Sequence, residues 1–167
     1  MGKGLRVAEW RRLRMLGGVT EAARLFLETS TPRASLVLMR GSEVVLEESF
    51  RGDRSHNALL FAPLERALGC LAEGERLAEV VVGSGPGSYS GTRVGIAAGQ
   101  GVAMVHGCPA VALSSLLAVA TAVPGALAVG DARRGSGWRM RIGGTREPEL
   151  CGVEDLARGI SEALAEG

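Results

Sequence analysis

The stretch VVVGSGPGSYSGTRVG, residues 80–95, constrains the fold more than any other part of the chain. A run of valines typical of a buried strand gives way to a loop of glycines, serines and one proline, and a helical pattern follows over residues 91–107. A strand, a tight loop and a helix in this order are typical of a layered α/β fold. The same arrangement lets backbone N–H groups and a helix N-terminus bind an anion, so the glycine loop, residues 83–92, raises the question of a phosphate ligand.

Hydrophobic periodicity extends this pattern along the chain and predicts a mixed α/β layout. Three consecutive strands come first, and Gly41-Ser42 between the second and third suits a hairpin. The later strands alternate with helices, which favours parallel pairing. Ser55 is predicted to cap the first helix, and Pro63 is expected near a kink or in a first turn because it lacks the N–H of an interior helical position. The predicted strands cover residues 25–29, 34–40, 43–50, 77–83, 110–113, 123–131 and 137–142, and the predicted helices cover residues 56–72, 91–107 and 114–123.

The composition excludes several classes of protein. A chain of 167 residues with 46% apolar composition suits one compact unit, and a net charge of +1 gives no global sign of a polyanion binder. Its three cysteines, Cys70, Cys108 and Cys151, lie far apart without C-x-x-C spacing. Neither a disulfide framework nor a thiolate metal site is therefore expected, and a reducing, cytoplasmic setting fits best. No window approaches the ~20 uninterrupted apolar residues of a membrane span.

Residues 1–24 differ from the rest because they carry six basic and two acidic side chains. We expect a basic N-terminal extension outside the fold, since a charge-rich terminal stretch is more often a solvated appendage than a working element. A short docking helix and an organellar presequence are the alternatives for this segment.

The glycine loop does not match three well-known functional loop motifs, each because of one or two residues. The dinucleotide fingerprint needs its third glycine at position 88 or 90, and the chain has serine at both. A phosphate loop needs a lysine before its last Ser or Thr, and here Gly91-Thr92 is followed by Arg93 instead. A nucleophile elbow needs serine where Tyr89 stands.

Candidate catalytic groups are scarce as well. The two histidines, His56 and His106, lie 50 positions apart and have no neighbouring H-x-x-x-H or H-x-E partner, which disfavours a zinc hydrolase. Ser84, Ser88 and Ser90 lack a nearby base in the sequence, and loop serines more often serve turns. We therefore expect no catalytic residue and no metal site. The glycine loop is then either a tight turn that lets a strand and a helix pack closely or a relict phosphate site.

The helix after the loop carries a stripe of small residues. Gly91, Gly95, Gly99 and Ala103 recur every four residues and so share one face. A glycine in a helix interior costs roughly 1 kcal/mol relative to alanine, and this cost suggests that something packs very close. The neighbour is either the sheet of the same chain or a helix of a partner.

The segment GSGPGSYSGTRVGIAAGQGVAMVHGCPAVALSSLLAVA resembles the signature of the TsaB (YeaZ) family. Members of that family work with TsaD and TsaE in making threonylcarbamoyladenosine next to the anticodon of tRNAs. The resemblance extends upstream to LFLETSTPRASLVL and SHNALLFAPLERAL and downstream to AVGDARRGSGWRM, and so covers residues 25 to about 142. Glu28-Thr29-Ser30 departs from the family, which usually has Asp-Thr-Ser at this turn.

The resemblance implies an actin-like, hexokinase-type ATPase fold. A mixed five-stranded first lobe would cover residues 25–122, and a truncated second lobe with a C-terminal helix would cover residues 123–167. The resemblance also implies a non-catalytic scaffold subunit that binds and organises TsaD. The first-lobe helices would form the partner interface, used for TsaD or, when TsaD is absent, for a homodimer. The implied interface residues are His56, Leu59, Leu60, Leu64, Arg93, Gly95, Ile96, Gly99 and Ala103.

Further implications concern ligands and partners. We expect no tightly bound cofactor, with ATP or ADP binding only together with TsaD. TsaE is a second implied partner, and tRNA would be contacted only through the complex, in the cytoplasm and away from membranes. A glycoprotease-like peptidase and a stand-alone nucleotide-binding module are the alternative functions. The possible relict nucleotide loop comprises Glu28, Thr29, Ser30, Gly85, Gly87, Ser88 and Gly91.

Overall fold

The computed structural model describes residues 22–51, 56–118, 124–143 and 147–166. The basic segment 1–21 and the predicted cap Ser55 lie outside the described residues. The chain divides after residue 120 into two compact units. The first unit contains β1 (Ala23–Glu28), β2 (Arg33–Arg40), β3 (Glu43–Arg51), α1 (His56–Gly69), β4 (Leu77–Gly83), α2 (Tyr89–His106), β5 (Ala110–Leu113) and a 3₁₀ helix (Ser115–Ala118). The second unit contains β6 (Leu127–Arg133), β7 (Ser136–Arg141), β8 (Glu149–Gly152) and α3 (Val153–Glu166).

The five strands of the first unit form one mixed sheet in the order β3-β2-β1-β4-β5. β2 pairs antiparallel with both β1 and β3, whereas β4 pairs parallel with both β1 and β5. This confirms the predicted arrangement of antiparallel strands followed by parallel ones. The central strand β1 is buried along nearly its whole length, as expected of a strand that is covered on both faces.

Apolar side chains cover both faces of this sheet. On one face Leu25 of β1 packs in a cluster with Leu60 of α1 and Val102 of α2. On the other face Phe26 of β1 packs in a smaller cluster with Val37 of β2. Because successive side chains point to opposite faces of a strand, neighbouring residues of β1 enter different clusters. Both α-helices of the first unit therefore contribute to the same cluster, on one face of the sheet.

The stripe of small residues on α2 faces the sheet of the same chain. Gly91, Gly95, Gly99 and Ala103 are all buried. A Cβ atom added to Gly99 would collide with Cγ2 of Val82 on β4, so the helix backbone lies directly on the strand. The assignment of Gly95, Gly99 and Ala103 to a partner interface is therefore corrected, because these residues are covered by their own sheet and offer no exposed surface.

Several element boundaries differ from the predictions. β1 begins at Ala23 rather than at residue 25. Arg24 forms an ion pair with Glu79 of β4 (Nε to Oε1, 2.9 Å). Ala23 and Arg24 therefore belong to the sheet rather than to a terminal extension. Pro63 lies inside α1, so of the two predicted positions, near a kink or in a first turn, the first turn is excluded. The predicted helix over residues 114–123 begins as the 3₁₀ helix, and its residues after 118 lie outside the described segments.

The second unit is a three-stranded antiparallel sheet in the order β6-β7-β8, with α3 packed on it. β6 and β7 confirm the two predicted strands, whereas the sequence pattern does not predict β8, which has only four residues. A Cβ atom added to Gly137 of β7 would crowd the Leu156 side chain of α3, which shows how closely helix and strand approach. Arg139 donates two hydrogen bonds to Glu149 (2.9 and 3.2 Å), and these bonds lower the pKa of the Glu149 carboxyl.

We expect Gly99→Ala to lower the free energy of unfolding by about 1–3 kcal/mol, because overpacking against Val82 outweighs the gain in helix propensity. Gly101→Ala in the same helix is the matched control, since no atom lies within 4 Å of a Cβ added there. The propensity effect then acts alone and raises stability by up to about 1 kcal/mol. Urea denaturation of both variants and the parent chain measures the difference. A Gly99→Ala variant as stable as Gly101→Ala would contradict the close packing.

Candidate functional site

The glycine loop lies against the turn that follows β1. Ser88 donates its backbone N–H to the carbonyl oxygen of Ser30 (2.6 Å), and Thr29 Oγ1 donates to the carbonyl oxygen of Gly91 (2.8 Å). A Cβ atom added to Gly87 or Gly91 would collide with the backbone of this turn. The predicted nucleotide-loop residues from the turn after β1 and from the glycine loop therefore lie together, and their polar groups form hydrogen bonds with one another.

Glu28 fills the space beside the first glycine of the loop. The residue is 1% exposed, its Oε1 accepts a hydrogen bond from the backbone N–H of Ser30 (2.6 Å), and a Cβ atom added to Gly83 would collide with its carboxylate. Its Oε2 has no hydrogen-bond partner among the described residues. A phosphate entering this space would meet a buried carboxylate, and like charges repel strongly where the dielectric is low. The geometry favours the tight-turn interpretation of the loop over an anion site.

The other side of the loop is tied to the segment that follows β5. Gly85 and Ser115 exchange two hydrogen bonds, from Gly85 N–H to Ser115 Oγ (3.0 Å) and from Ser115 N–H to the Gly85 carbonyl oxygen (2.9 Å). The backbone N–H of Ser84 donates to the carbonyl oxygen of Leu113 (2.8 Å). The hydrogen bonding of Ser115 to the glycine loop was not predicted, although the paired serines of VALSSL, at a strand end, are a typical signal of such a turn.

Ser88 has a structural role at the start of α2. It is the N-cap residue, and its Oγ accepts a hydrogen bond from the backbone N–H of Gly91 (3.3 Å). His106 is the last residue of α2 and lies roughly 25 Å from Ser88, at 1.5 Å per helical residue. Its Nδ1 accepts a hydrogen bond from the backbone N–H of Leu77 (3.3 Å). His106 is therefore too far away to act as a general base for Ser88, and the side chain of His56 lies outside the described part of the chain.

The described segments contain neither a metal-binding cluster nor a membrane-spanning helix. No three His, Cys, Asp or Glu side chains in them lie close enough together to hold a metal ion. None of their helices has both the length and the apolar character that crossing a bilayer requires. All three cysteines have free thiols, and burial raises the pKa of the Cys108 thiol.

The outer surface of α1 and α2 carries an apolar groove, here named the α1–α2 groove, with a volume of about 470 Å³. Phe61, which lines it, is 63% exposed. Exposed apolar side chains that lie together on a surface mark interaction sites, and a groove between helices is a geometry that receives a partner helix. The groove is lined by Leu60, Phe61, Leu64, Val94, Ala97, Ala98, Gly101 and Val102.

Of the predicted interface residues, Leu60 and Leu64 line this groove. Phe61 was not predicted, although it directly follows the core residue Leu60 and so points about 100° away from it around the helix. Its position in the helical pattern was therefore a usable signal. Leu60 and Leu64 line the groove and also contact the core, Leu59 and Arg93 are exposed, Ile96 is half-buried, and His56 is the first residue of α1.

An ion pair orients α1 relative to β3. Arg66 donates from Nε and Nη2 to the two carboxylate oxygens of Glu48 (2.6 and 2.5 Å). These bonds lower the pKa of the Glu48 carboxyl and raise that of the Arg66 guanidinium. Because more than half of the Arg66 side chain is exposed, water screens the pair, and we assign it an orienting role rather than a large share of the stability.

Comparisons with known proteins identify the family. The family model described as "TsaD: tRNA N6-adenosine threonylcarbamoyltransferase" matches residues 51–147, more than half of the chain. The tRNA threonylcarbamoyladenosine biosynthesis protein TsaB of Haemophilus influenzae is 32% identical over 100 residues. The chain belongs to the TsaB (YeaZ) family and contains the TsaD-like domain that this model describes. The resemblance found in the sequence is thereby confirmed.

The relatives of this TsaB-family chain differ from it in length. The match covers 59% of this chain and 42% of the Haemophilus protein, so the chain spans less than half the length of that relative. YeaZ from Pseudomonas aeruginosa superposes with a TM-score of 0.59 over 78% of this chain and 65% of that one. A protein described as similar to the peptidase YeaZ, from the same organism, superposes with a TM-score of 0.60 over 78% and 64%. Both are 24% identical to this chain and show the fold alone, a mixed α/β architecture consistent with an actin-like fold.

We expect Thr29→Val to lower the free energy of unfolding by about 1–3 kcal/mol, because the buried carbonyl of Gly91 loses its hydrogen bond. Thr31→Val is the matched control. Thr31 Oγ1 also donates to a backbone carbonyl, that of Arg33 (2.7 Å), but at an exposed position where water can replace the bond. There the change should stay within about 0.5 kcal/mol. Equal losses in urea denaturation of the two variants would show that the glycine loop is not held by Thr29.

Proposed function

We propose that this TsaB-family chain is a scaffold subunit in the formation of threonylcarbamoyladenosine next to the anticodon of tRNAs, where it binds and organises the catalytic subunit TsaD. The observation that carries the proposal is the exposed α1–α2 groove, on a chain whose curated relative is named a tRNA threonylcarbamoyladenosine biosynthesis protein. The proposed docking role is assigned to the first unit, because all residues that line the groove belong to it.

The groove has the physical properties of a surface that receives a helix. Its lining is apolar, with Leu60, Leu64 and Val102 reaching the core and Phe61 open to water. Removal of apolar surface from water contributes roughly 25 cal/mol per Å². Most of the binding energy of an interface comes from a few well-packed residues near its centre, aromatic ones above all. A partner helix laid along the groove would bury Phe61, so we place the centre of the interface there.

We further propose that this chain supplies neither the catalytic groups nor a nucleotide site of its own. The buried Glu28 carboxylate lies against Gly83, so an anion at this end of the glycine loop would meet a group of like charge. The distance between Ser88 and His106 counts against a peptidase built on the loop serines. ATP or ADP would then bind only when TsaD is present.

The remaining partners belong to the same proposal. TsaE would join the assembly, and tRNA would be contacted through the complex rather than by this chain alone. In the absence of TsaD a second copy would cover the α1–α2 groove, because an exposed apolar surface of this kind favours self-association. The assembly would work in the cytoplasm.

Phe61→Asp should abolish capture of TsaD from the same organism, because it places a charge in the centre of the apolar groove. Leu164→Asp is the matched control: Leu164 is also exposed and apolar, but it lies on α3 of the second unit. Co-purification of TsaD with the parent chain and each variant measures capture, and thermal melting confirms that the variants fold. Failure of the parent chain to capture TsaD, or undiminished capture by Phe61→Asp, would contradict the proposal.

Titration of the chain alone with ATP or ADP in a calorimeter should give no binding heat, because the Glu28 carboxylate beside Gly83 would repel a phosphate at the glycine loop. The same titration in the presence of TsaD should give a binding isotherm. Saturable binding to the chain alone would favour the stand-alone nucleotide-binding module instead.

A further inference from the structure

Arg93 and Tyr89 form a pair on the outer side of α2. They are four residues apart and so lie one above the other on the helix surface. Arg93 Nη1 donates a hydrogen bond to Tyr89 Oη (3.1 Å), and the guanidinium carbon lies over the ring, 5.3 Å from its centroid. Tyr89 is 75% exposed and Arg93 is exposed as well. The ring therefore limits the rotamers of an arginine that otherwise stands in solvent.

The positive charge of Arg93 has no counterion within the chain's described segments. Arg24, Arg40, Arg66, Arg139 and Arg158 each form an ion pair with a carboxylate there, but Arg93 does not. The sequence of α2 contains no Asp or Glu. Within the described segments Arg93 contacts the ring and hydroxyl of Tyr89, and no carboxylate neutralises its charge there.

The pair stands beside the apolar groove. Arg93 and Tyr89 line a shallow depression of about 510 Å³, together with Ser90, Ile96 and Gln100. Val94 and Ala97 line both this depression and the α1–α2 groove, so the two surfaces are continuous. An apolar centre with a charged and polar rim is the usual layout of a protein interface, and Arg and Tyr are among the residues enriched in its energetically important positions.

We infer that Arg93, held in place by Tyr89, is a specificity-determining residue of the docking surface and receives a carboxylate side chain from a helix of the partner. The inference rests on the function proposed above. A guanidinium presents N–H donors in a planar fork that matches a carboxylate in two hydrogen bonds, so it selects both the charge and the position of its partner group. Fixing Arg93 before binding lowers the entropy that association costs.

Two other occupants fit the surface less well. Nucleic acid phosphates are bound by several cations together, whereas Arg93 is a single cation flanked by the apolar side chains Val94 and Ala97. In a symmetric pairing through α1 and α2, a second copy of this chain could offer only Glu65, since that is the one acidic residue in the sequences of these two helices. A helix from a different subunit is therefore the occupant we assign.

The dissociation constant of the complex between the full chain and TsaD of the same organism tests the inference, measured at low and at high salt. Arg93→Gln should weaken binding about tenfold and Arg93→Glu about a hundredfold, because the second variant places two like charges together. Arg93→Lys should fall between the parent chain and Arg93→Gln, since it keeps the charge but loses the fork. Tyr89→Phe, which keeps the ring and loses the hydroxyl, should cost about two- to threefold. Arg33→Gln, at an exposed arginine of β2, is the matched control and should change binding less than twofold.

The outcomes separate this inference from the proposed function. A parent chain that does not bind TsaD overturns both. A parent chain that binds, with Phe61→Asp inactive and the Arg93 variants unchanged, leaves the docking surface intact and overturns the role of Arg93. If Arg93→Glu alters only self-association in sedimentation, the cation serves a second copy, and the inference is overturned as well. Restoration of Arg93→Glu binding by a TsaD variant in which an interfacial carboxylate is replaced by arginine would support it.

Discussion

The close approach of α2 to its sheet is the contact on which the rest of the first unit depends. Gly91, Gly95, Gly99 and Ala103 leave that face of the helix almost bare, so that its backbone lies on Val82 and on the turn after β1. Among the larger side chains of α2, Val102 is buried in the core, whereas Met104 and Val105 are exposed. The helix therefore leaves apolar surface on its outer side, and its residues Val94, Ala97, Ala98, Gly101 and Val102 form one wall of the α1–α2 groove.

The glycine loop follows from the same contact. A helix that lies so close to the sheet can be reached from β4 only by a loop that passes tightly beside β1, and Gly87 and Gly91 lie against backbone carbonyls there. The Glu28 carboxylate, Thr29 and Ser88 complete the packing from the inside. Packing and hydrogen bonds within the chain thus account for the glycines of this loop, and the exposed apolar surface of the first unit lies on the outer side of the two helices, where we propose that the partner docks.

Much of this fold could be predicted from the sequence, and the exceptions have physical reasons. The alternation of apolar runs and turn residues was sufficient for β1 to β7 and for α2. Most of these elements are long or strongly buried, and the short β5 has the uniformly apolar sequence AVAL. β8 was not predicted, because its four residues, ELCG, mix polar and apolar side chains without a clear alternation. The small stripe of α2 was visible, but periodicity shows only that one face is bare and not what covers it, so Gly95, Gly99 and Ala103 were assigned to the wrong surface. Phe61 had a usable signal in the helical pattern of α1, whereas the contact between Arg93 and Tyr89 was visible only in the structure.

Hydrogen–deuterium exchange of the chain with and without saturating TsaD tests the central claim most directly, namely that the chain docks through the outer face of α1 and α2 rather than through the glycine loop. The account predicts slower exchange over residues 59–62 of α1 and residues 97–104 of α2, with the rates over residues 83–88 unchanged. Protection confined to the glycine loop, or no protection on either helix, would contradict it.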